Sequence, residues 1–431
     1  MSERRALKMA EVMDELFDGP HATPPPADVG PVFLGIKNIT DAGALDLSEV
    51  RHISEADFGR WTKRVTPEAG DLVFTYEATL HRYALIPEGF RGCLGRRLAL
   101  IRPDKSVVDP RFLHYTMLGP EWRATVTERI ISGSTVDRIP LLTFPDFPIS
   151  LPPLDVQRRV ADVLGAIDDL IENYRQRVKV AEEMAQAIYQ EWFVHFRYPG
   201  HADVPLVDSS LGPVPDGWPV ASPSALGEIA VGGDWGREAP DGDGWTQVAC
   251  LRGVDLPKLR RGDRSSVKVR WVKDASLQKR LLTPADVVVE GSGECGRSLT
   301  VSTRMADLVG APVVYSNFCK RLTCESPAHA MFVSRLFNTM VKDGTMTAFK
   351  TGTAIPNLNF RALVENHLIP LPPRDVLLAY EDRVRPLEEF ALSVPVAQLQ
   401  SIRDLLLPRL VAGDIDLSRL DLGKLDEAVS A

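Results

Sequence analysis

The sequence predicts an α+β protein: two mixed α/β domains separated by two long antiparallel helices, with a pseudo-twofold internal repeat. Three observations lead there. The first is the run from Leu154 to Phe196, which contains no proline and a single glycine, Gly165. Its apolar residues Val156, Val160, Val163, Ile167, Leu170, Tyr174, Val178, Ala181, Met184, Ile188 and Trp192 recur at steps of three and four. That is the seam of a helix packed along another helix, a rod of roughly 60 Å, too long to sit inside one small core. The second is a repeat. Leu371-Pro372-Pro373-Arg374-Asp375-Val376 stands against Leu151-Pro152-Pro153-Leu154-Asp155-Val156, and Thr351-Gly352-Thr353-Ala354 against Ser132-Gly133-Ser134-Thr135. Upstream, Gly70-Asp71-Leu72-Val73-Phe74 matches Ala285-Asp286-Val287-Val288-Val289. The third is that each copy of the Pro-Pro motif follows a stretch of short apolar strands broken by Gly, Pro and Asp turns.

These features divide the chain into a first domain over 1–150, a central long helix over 151–200, a second domain over 201–370, a second long helix over 371–413 and a tail over 414–431. The first domain opens with a short amphipathic segment and a turn-rich cluster, Phe17 to Pro26. Strands are expected at Val32–Ile36, Leu72–Thr75, Tyr83–Ile86 and Leu98–Ile101. Asp109-Pro110 opens a helix through Met117, because Asp accepts hydrogen bonds from free amides and Pro at the first helical position has none to lose. Trp122 and Val126 continue its apolar face.

Pro153 suits the entry to the first rod for the same reason, and Tyr198-Pro199-Gly200 stops it. In the second domain strands are expected at Val287–Val289 and Val313–Tyr315, with a helix over Met331–Val341. The second rod carries apolar residues through Leu399, Ile402 and Leu406. Pro386 and Pro395 interrupt it, since each removes a backbone hydrogen bond and clashes one turn back.

Composition narrows the function classes. At 44% hydrophobic and 25% charged residues the chain reads as globular, and no apolar run approaches a membrane span. The N-terminus lacks a secretory pattern, and the five cysteines (Cys93, Cys250, Cys295, Cys319, Cys324) form no CxxC pair, so a reducing cytoplasm is expected. The net charge is −8, but Arg252–Arg280 holds a local +7. Such a run is either a solvated loop or a phosphate-contacting surface. Gly291-Ser292-Gly293-Glu294-Cys295-Gly296 lacks the Lys-Ser/Thr ending of a P-loop and reads as a tight turn. There is no HExxH, GxSxG, EF-hand or helicase motif, and no Asp/Asn-Pro-Pro-Tyr/Phe of an amino-methyltransferase. No enzymatic activity and no metal are therefore expected in this chain.

The order of motifs resembles the specificity subunit of type I restriction-modification systems. Leu151 to Leu164 is similar to that family's central-helix opening, and Glu191-Trp192-Phe193-Val194-His195-Phe196 to its close. Leu211-Gly212-Pro213-Val214-Pro215-Asp216-Gly217-Trp218 resembles the entry to the second recognition domain. Asp404 to Gly413 resembles the end of the second helix, and Phe17 to Pro24 a common start of the first domain. The resemblance implies a non-catalytic subunit for phage defence in a prokaryotic cytoplasm. Two target-recognition domains would each read half of a bipartite double-stranded DNA site, held apart by a coiled coil. Two modification (methyltransferase) subunits carrying S-adenosylmethionine would dock on the helices and methylate adenine N6. Restriction subunits, where present, would use ATP and Mg; this chain itself would hold no cofactor.

On that reading the DNA-binding candidates are Arg260, Arg261, Arg264, Lys268 and Arg270 in the second domain. In the first they are Lys37, Asn38, Arg60, Lys63, Arg64, His81 and Arg82. The helix seam and partner-docking candidates are Val156, Val160, Val163, Ile167, Leu170, Tyr174, Met184, Ile188, Trp192, Leu399, Ile402 and Leu406. Two other readings stay open: a coiled-coil adaptor that binds proteins and not DNA, and a nucleotide-dependent enzyme built on Gly291–Gly296.

Overall fold

A computed structural model describes residues 4–133, 136–352 and 354–417. Ser134, Thr135 and Thr353 of the repeated motif, and the tail from 418, lie outside the described residues. The chain forms two compact units, one of residues up to Leu170 together with those from Leu399 onward, the other of Ile171–Gln398. Each long helical stretch is thus divided between the two units.

The first unit holds strands β1 (Met13–Asp18), β2 (Ala27–Leu34), β3 (Arg51–His52), β4 (Leu72–Thr75), β5 (Tyr83–Leu85), β6 (Gly92–Leu94) and β7 (Leu98–Pro103). They form an antiparallel sheet in the order β1-β7-β4-β5, and a second sheet β3-β2-β6 in which β2 runs antiparallel to β3 and parallel to β6. Arg5–Lys8 pairs with Pro148–Leu151. The amphipathic opening is therefore strand. Helix α1 (Glu55–Trp61) follows β3; α2 (Pro110–Leu118) and α3 (Pro120–Thr127) follow β7. Asp109 caps α2 by accepting from the amides of Arg111 and Phe112. The single helix expected there breaks at Gly119, before Pro120.

The core joins Leu72, Phe74, Ile101, Phe112, Trp122 and Phe144 to Val160 and Leu164 of α4 (Leu154–Tyr189). It also takes in Leu407, Leu410 and Val411 of the C-terminal helix, Val396–Ala412. Beside it Asp168 accepts from the Tyr115 hydroxyl at 2.7 Å and from Arg403 at 3.0 Å.

The second unit repeats this connectivity. Its strands are β8 (Gly227–Ile229), β9 (Trp245–Leu251), β10 (Lys268–Lys273), β11 (Asp286–Glu290), β12 (Ser298–Thr300), β13 (Val313–Tyr315) and β14 (Cys319–Cys324). One sheet runs β8-β14-β11-β12, all antiparallel; the other runs β10-β9-β13, with β9 antiparallel to β10 and parallel to β13. Each strand of these two sheets has its counterpart seven places earlier. Helix α5 (Asp274–Arg280) follows β10 as α1 follows β3, and Val220–Ala221 pairs with Ile369–Pro370 just before the second Pro-Pro.

Helix α6 (Pro327–Asp343) packs its Phe332, Leu336 and Phe337 into a core with Tyr189, Trp192, Phe193, Tyr380 and Val384. Here Arg335, 2% exposed, donates to both carboxylate oxygens of Glu182 at 2.8 and 2.9 Å and to Glu388 at 2.8 Å. Further along, the rings of Trp192 and Tyr380 lie 6.0 Å apart. Partners of increasing number on the first helix meet partners of decreasing number on α7 (Arg374–Ser393), so the two run antiparallel in this unit.

The helices depart from expectation in three ways. Helix α4 ends at Tyr189 and passes into a wider π-type turn over Gln190–Val194, where the His195 amide reaches back to the Gln190 carbonyl. Pro386 lies inside α7 without ending it, because it and Asp382, whose carbonyl loses its partner, are both on the exposed side. The break comes at Val394-Pro395, before α8 (Val396–Ala412), which contains Pro408. Among seam candidates, Met184 is 50% and Ile402 48% exposed. The buried stripe instead passes through Leu164, Ile171, Val178, Ala185 and Tyr189, the first four at seven-residue steps, the period of a coiled-coil seam. Val160, Val163 and Trp192 are buried, while Val156, Ile167, Leu170, Tyr174, Ile188, Leu399 and Leu406 are half-buried. No helix among the described residues is long and apolar enough to cross a membrane.

Candidate nucleic-acid interface

Each unit builds the same face from three loops. In the first unit these are the β4–β5 loop, the β6–β7 loop and the segment 136–139. The Tyr76 amide donates to the Arg97 carbonyl (3.1 Å), the Ala78 amide to Asp137 (3.1 Å) and the Ile139 amide to Tyr76 (2.8 Å). In the second unit Gly291 donates to Phe318 (2.9 Å), Gly293 to Pro356 (3.0 Å) and Leu358 to Gly291 (2.9 Å). The base of the loop repeats too: Thr75 to Arg82 (3.0 Å) against Glu290 to Arg297 (2.8 Å).

These bonds align the two faces residue by residue. Glu77 matches Ser292, Arg96 matches Asn317, Arg97 matches Phe318 and Arg138 matches Asn357. The glycine-rich run Gly291–Gly296 is thus the β11–β12 connection, a strand-to-strand turn, with Gly293 and Gly296 both at φ +91°. It opens no helix, so the phosphate-cradle reading falls away.

Chain geometry on these faces is unusual. Ala78 (φ +70°), His81 (+65°), Arg97 (+69°) and Cys295 (+54°) occupy the left-handed region, where a side chain costs energy. Among the described residues only Phe196 shares that conformation without being glycine. In the first unit Thr75 Oγ1, His81 Nδ1 and Arg97 Nε are buried without a hydrogen-bond partner among the described residues. Burial also holds the His81 imidazole below its usual pKa, with Arg123 adding to the effect. Arg96 and Arg138 are exposed and make no ion pair among the described residues, while Arg97 lies 3.5 Å from Glu77. In the second unit Phe318 and Ile355 are 63% and 69% exposed.

A second feature of the first unit is a groove lined by His21, Arg60, Trp61, Lys63 and Arg64, with Asp18 at its edge. Arg64 pairs with Asp18, but Arg60 and Lys63 keep their charge without an ion pair among the described residues. The Trp61 indole N–H is buried beside them with no partner among the described residues. Three of the sequence candidates therefore meet in one place.

Others do not. Asn38 is buried, its amide donating to the Asp46 and Glu49 carbonyls and its oxygen accepting from Gly35, so it ties a turn and cannot reach a base. Arg82 is held by Asp41 and the Ile39 carbonyl, and Lys37 lies 3.7 Å from Glu49.

In the second unit Arg260 pairs with Glu182 beside Arg335, where burial pushes its pKa down to about 10. Arg264 donates to Leu308 and Gln398. Arg270 stacks 4.6 Å from the Trp235 ring and pairs with Glu238, leaving its side chain 12% exposed. These three are packing residues. Only Arg261 and Lys268 of that group are exposed. The basic run is charge-dense because its arginines pair with Asp255, Glu182 and Glu238, donate to Leu308 and Gln398, and stack on Trp235. The sequence reading passed over Arg96, Arg97, Arg138, Asn317 and Asn357. Their signal was present in the repeated Ser132-Gly133 and Thr351-Gly352 motifs, which turn the chain so that Arg138 pairs with Ile131 and Asn357 with Thr351.

No family model matches the chain. It is 24% identical over 383 residues to the type I restriction enzyme MjaIX specificity subunit of Methanocaldococcus jannaschii, covering 86% of this chain and 83% of that protein. It is 22% identical over 391 residues to the HindI specificity subunit of Haemophilus influenzae, covering 74% and 80%. Its fold resembles the crystal structure of a type I restriction-modification system S subunit from M. genitalium, with a TM-score of 0.57 over 95% of this chain and 96% of that one, at 12% identity. Along most of its length the chain is therefore similar to specificity subunits of type I restriction-modification systems, and it shares the fold of one whose structure is solved.

Proposed function

We propose that this chain is the sequence-specific DNA-recognition subunit of a type I restriction-modification complex, each unit reading one half of a split duplex site. The observation that carries this reading is the one-for-one repetition of strand order and loop hydrogen bonds in two units whose exposed side chains differ. Two copies of one scaffold with different side chains suit two different half-sites. Phosphate contacts position such a protein and base contacts specify the sequence. The groove of Arg60, Lys63 and Arg64 supplies the first kind. The chemistry belongs to partners: two modification subunits holding S-adenosylmethionine, and restriction subunits using ATP and Mg where they are present. A coiled-coil adaptor that never meets DNA would leave both repeated faces without a role.

The test is selection of duplexes from a random-sequence pool by the chain reconstituted with its modification subunits. Enrichment of two short motifs separated by a constant gap is expected; no enrichment over the modification subunits alone would overturn the proposal.

A further inference from the structure

We infer that the three-loop face of each unit is its base-reading surface, with Arg96 and Arg138 reading guanine in the first unit and Asn317 and Asn357 reading adenine in the second. The inference rests on the DNA-recognition reading and adds to it the residues and the bases. Four independent features meet on these faces.

The backbone is pinned by repeated hydrogen bonds, so side chains at the aligned positions project from a rigid frame. The strained residues Ala78, His81, Arg97 and Cys295 gather here, as strain gathers at binding sites. In the first unit the buried His81 Nδ1 has no hydrogen-bond partner among the described residues, and the Arg97 Nε has only Glu77 at 3.5 Å, an arrangement that leaves donors and acceptors open to a ligand. Finally, the aligned side chains differ in chemistry: exposed Arg96 and Arg138 against exposed Asn317 and Asn357, and half-buried Arg97 against exposed Phe318. Asn357, whose oxygen accepts from the Ser292 hydroxyl and whose amide donates to the Ile355 carbonyl at 3.1 Å, keeps one N–H and one lone pair for a base.

That difference sets the prediction. A guanidinium donates two parallel N–H bonds to guanine N7 and O6, a carboxamide accepts from adenine N6 and donates to N7, and an exposed apolar side chain suits the thymine methyl. The first face presents the donors Arg96 and Arg138, with the acceptor Glu77 held beside Arg97. The second offers donor-acceptor groups, Ser292, Asn317 and Asn357, beside Phe318 and Ile355. One half-site should therefore depend on guanine and the other on A·T pairs.

The experiment uses the complete complex with its modification subunits and DNA libraries randomised in one half-site at a time. Arg138→Ala should relax one guanine position and weaken binding of the preferred duplex by roughly ten- to a hundredfold, leaving the other half-site unchanged. Arg138→Lys keeps the charge but loses the two-pronged geometry, so it should relax the same position. Asn357→Ala should relax an adenine in the opposite half-site. Arg96→Gln, at a fully surface position, provides a second first-unit variant if Arg138→Ala lowers the unfolding midpoint.

Unchanged base preferences in all variants would overturn the assignment while wild-type selection of a split motif still upheld the function. Uniform weakening without altered preference would also overturn it, making these residues phosphate contacts. A wild-type complex that selects no split motif would remove the functional reading itself, and this inference with it.

Discussion

Where α4 begins, the first unit buries Gln157, which accepts from the Asp109 amide at 3.0 Å and donates to the Val107 and Pro152 carbonyls. Where α7 begins, the second unit places fully buried Leu377 in the aligned position, inside its apolar core. The same contrast recurs. Asp71 before β4 is held by two bonds from Arg102, whereas its counterpart Asp286 takes hydroxyls from Thr283 and Thr323. Ala78 and His81 sit strained where the second unit has Gly293 and Gly296. The lesson is that the architecture dictates backbone positions and conformations, while the side-chain means of meeting them are interchangeable. Exposed side chains that differ between the two aligned faces are then the ones available for recognition.

Substitutions that exchange one unit's solution for the other's put this to the test, and the largest effect is expected at the buried ion cluster. Arg335→Ala leaves Glu182 and Glu388 facing each other near Arg260 and should cost about 3–5 kcal/mol. Arg403→Ala, at the more open Asp168 site of the first unit, should cost about 1 kcal/mol. Urea unfolding of each variant decides; equal losses would mean the two helix contacts are energetically alike.

Next come Gln157→Leu and Leu377→Gln. The first strands one amide and two carbonyls, costing about 2 kcal/mol; the second buries a carboxamide in an apolar core, costing roughly 2–4 kcal/mol. If either swap is neutral by the same measurement, the positions are not specialised as argued. Smaller still, Ala78→Gly should stabilise the first unit and Gly293→Ala destabilise the second, each by about 1 kcal/mol. Thermal midpoints moving in the same direction would contradict the strain argument.

The weakest effect concerns pH. Burial holds the His114 imidazole below its usual 6.5, so the unfolded chain binds its proton first as pH falls. Stability should fall as pH drops through about 6.5, with a shallower slope in His114→Gln. An unaltered slope in that variant would assign the acid loss elsewhere.

Much of the architecture was legible because periodicity and punctuation report it directly. The Pro-Pro entries, the seam of α4, and strands such as Leu72–Thr75 and Val313–Tyr315 follow from apolar spacing and turn residues. Met184 is exposed because the buried stripe steps by four from Ala181 to Ala185, not by three, and Ile402 because its neighbour Arg403 takes the inward position and donates to Asp168. The interface was less legible for a different reason. Charge density marks arginine, not its environment, so Arg260, Arg264 and Arg270 looked like DNA contacts while pairing with Glu182, with Leu308 and Gln398, and with Glu238 and the Trp235 ring. Arg96 and Arg138 stand alone in sequence and acquire meaning only when three distant loops meet.

The claim that each unit reads one half of a split site is tested most directly by mapping modified adenines in DNA from cells that make this chain together with its modification subunits. The account predicts a motif of two short specific blocks at a constant separation, with Arg138→Ala degrading one block and Asn357→Ala the other. A single continuous motif, or both variants degrading the same block, would contradict it.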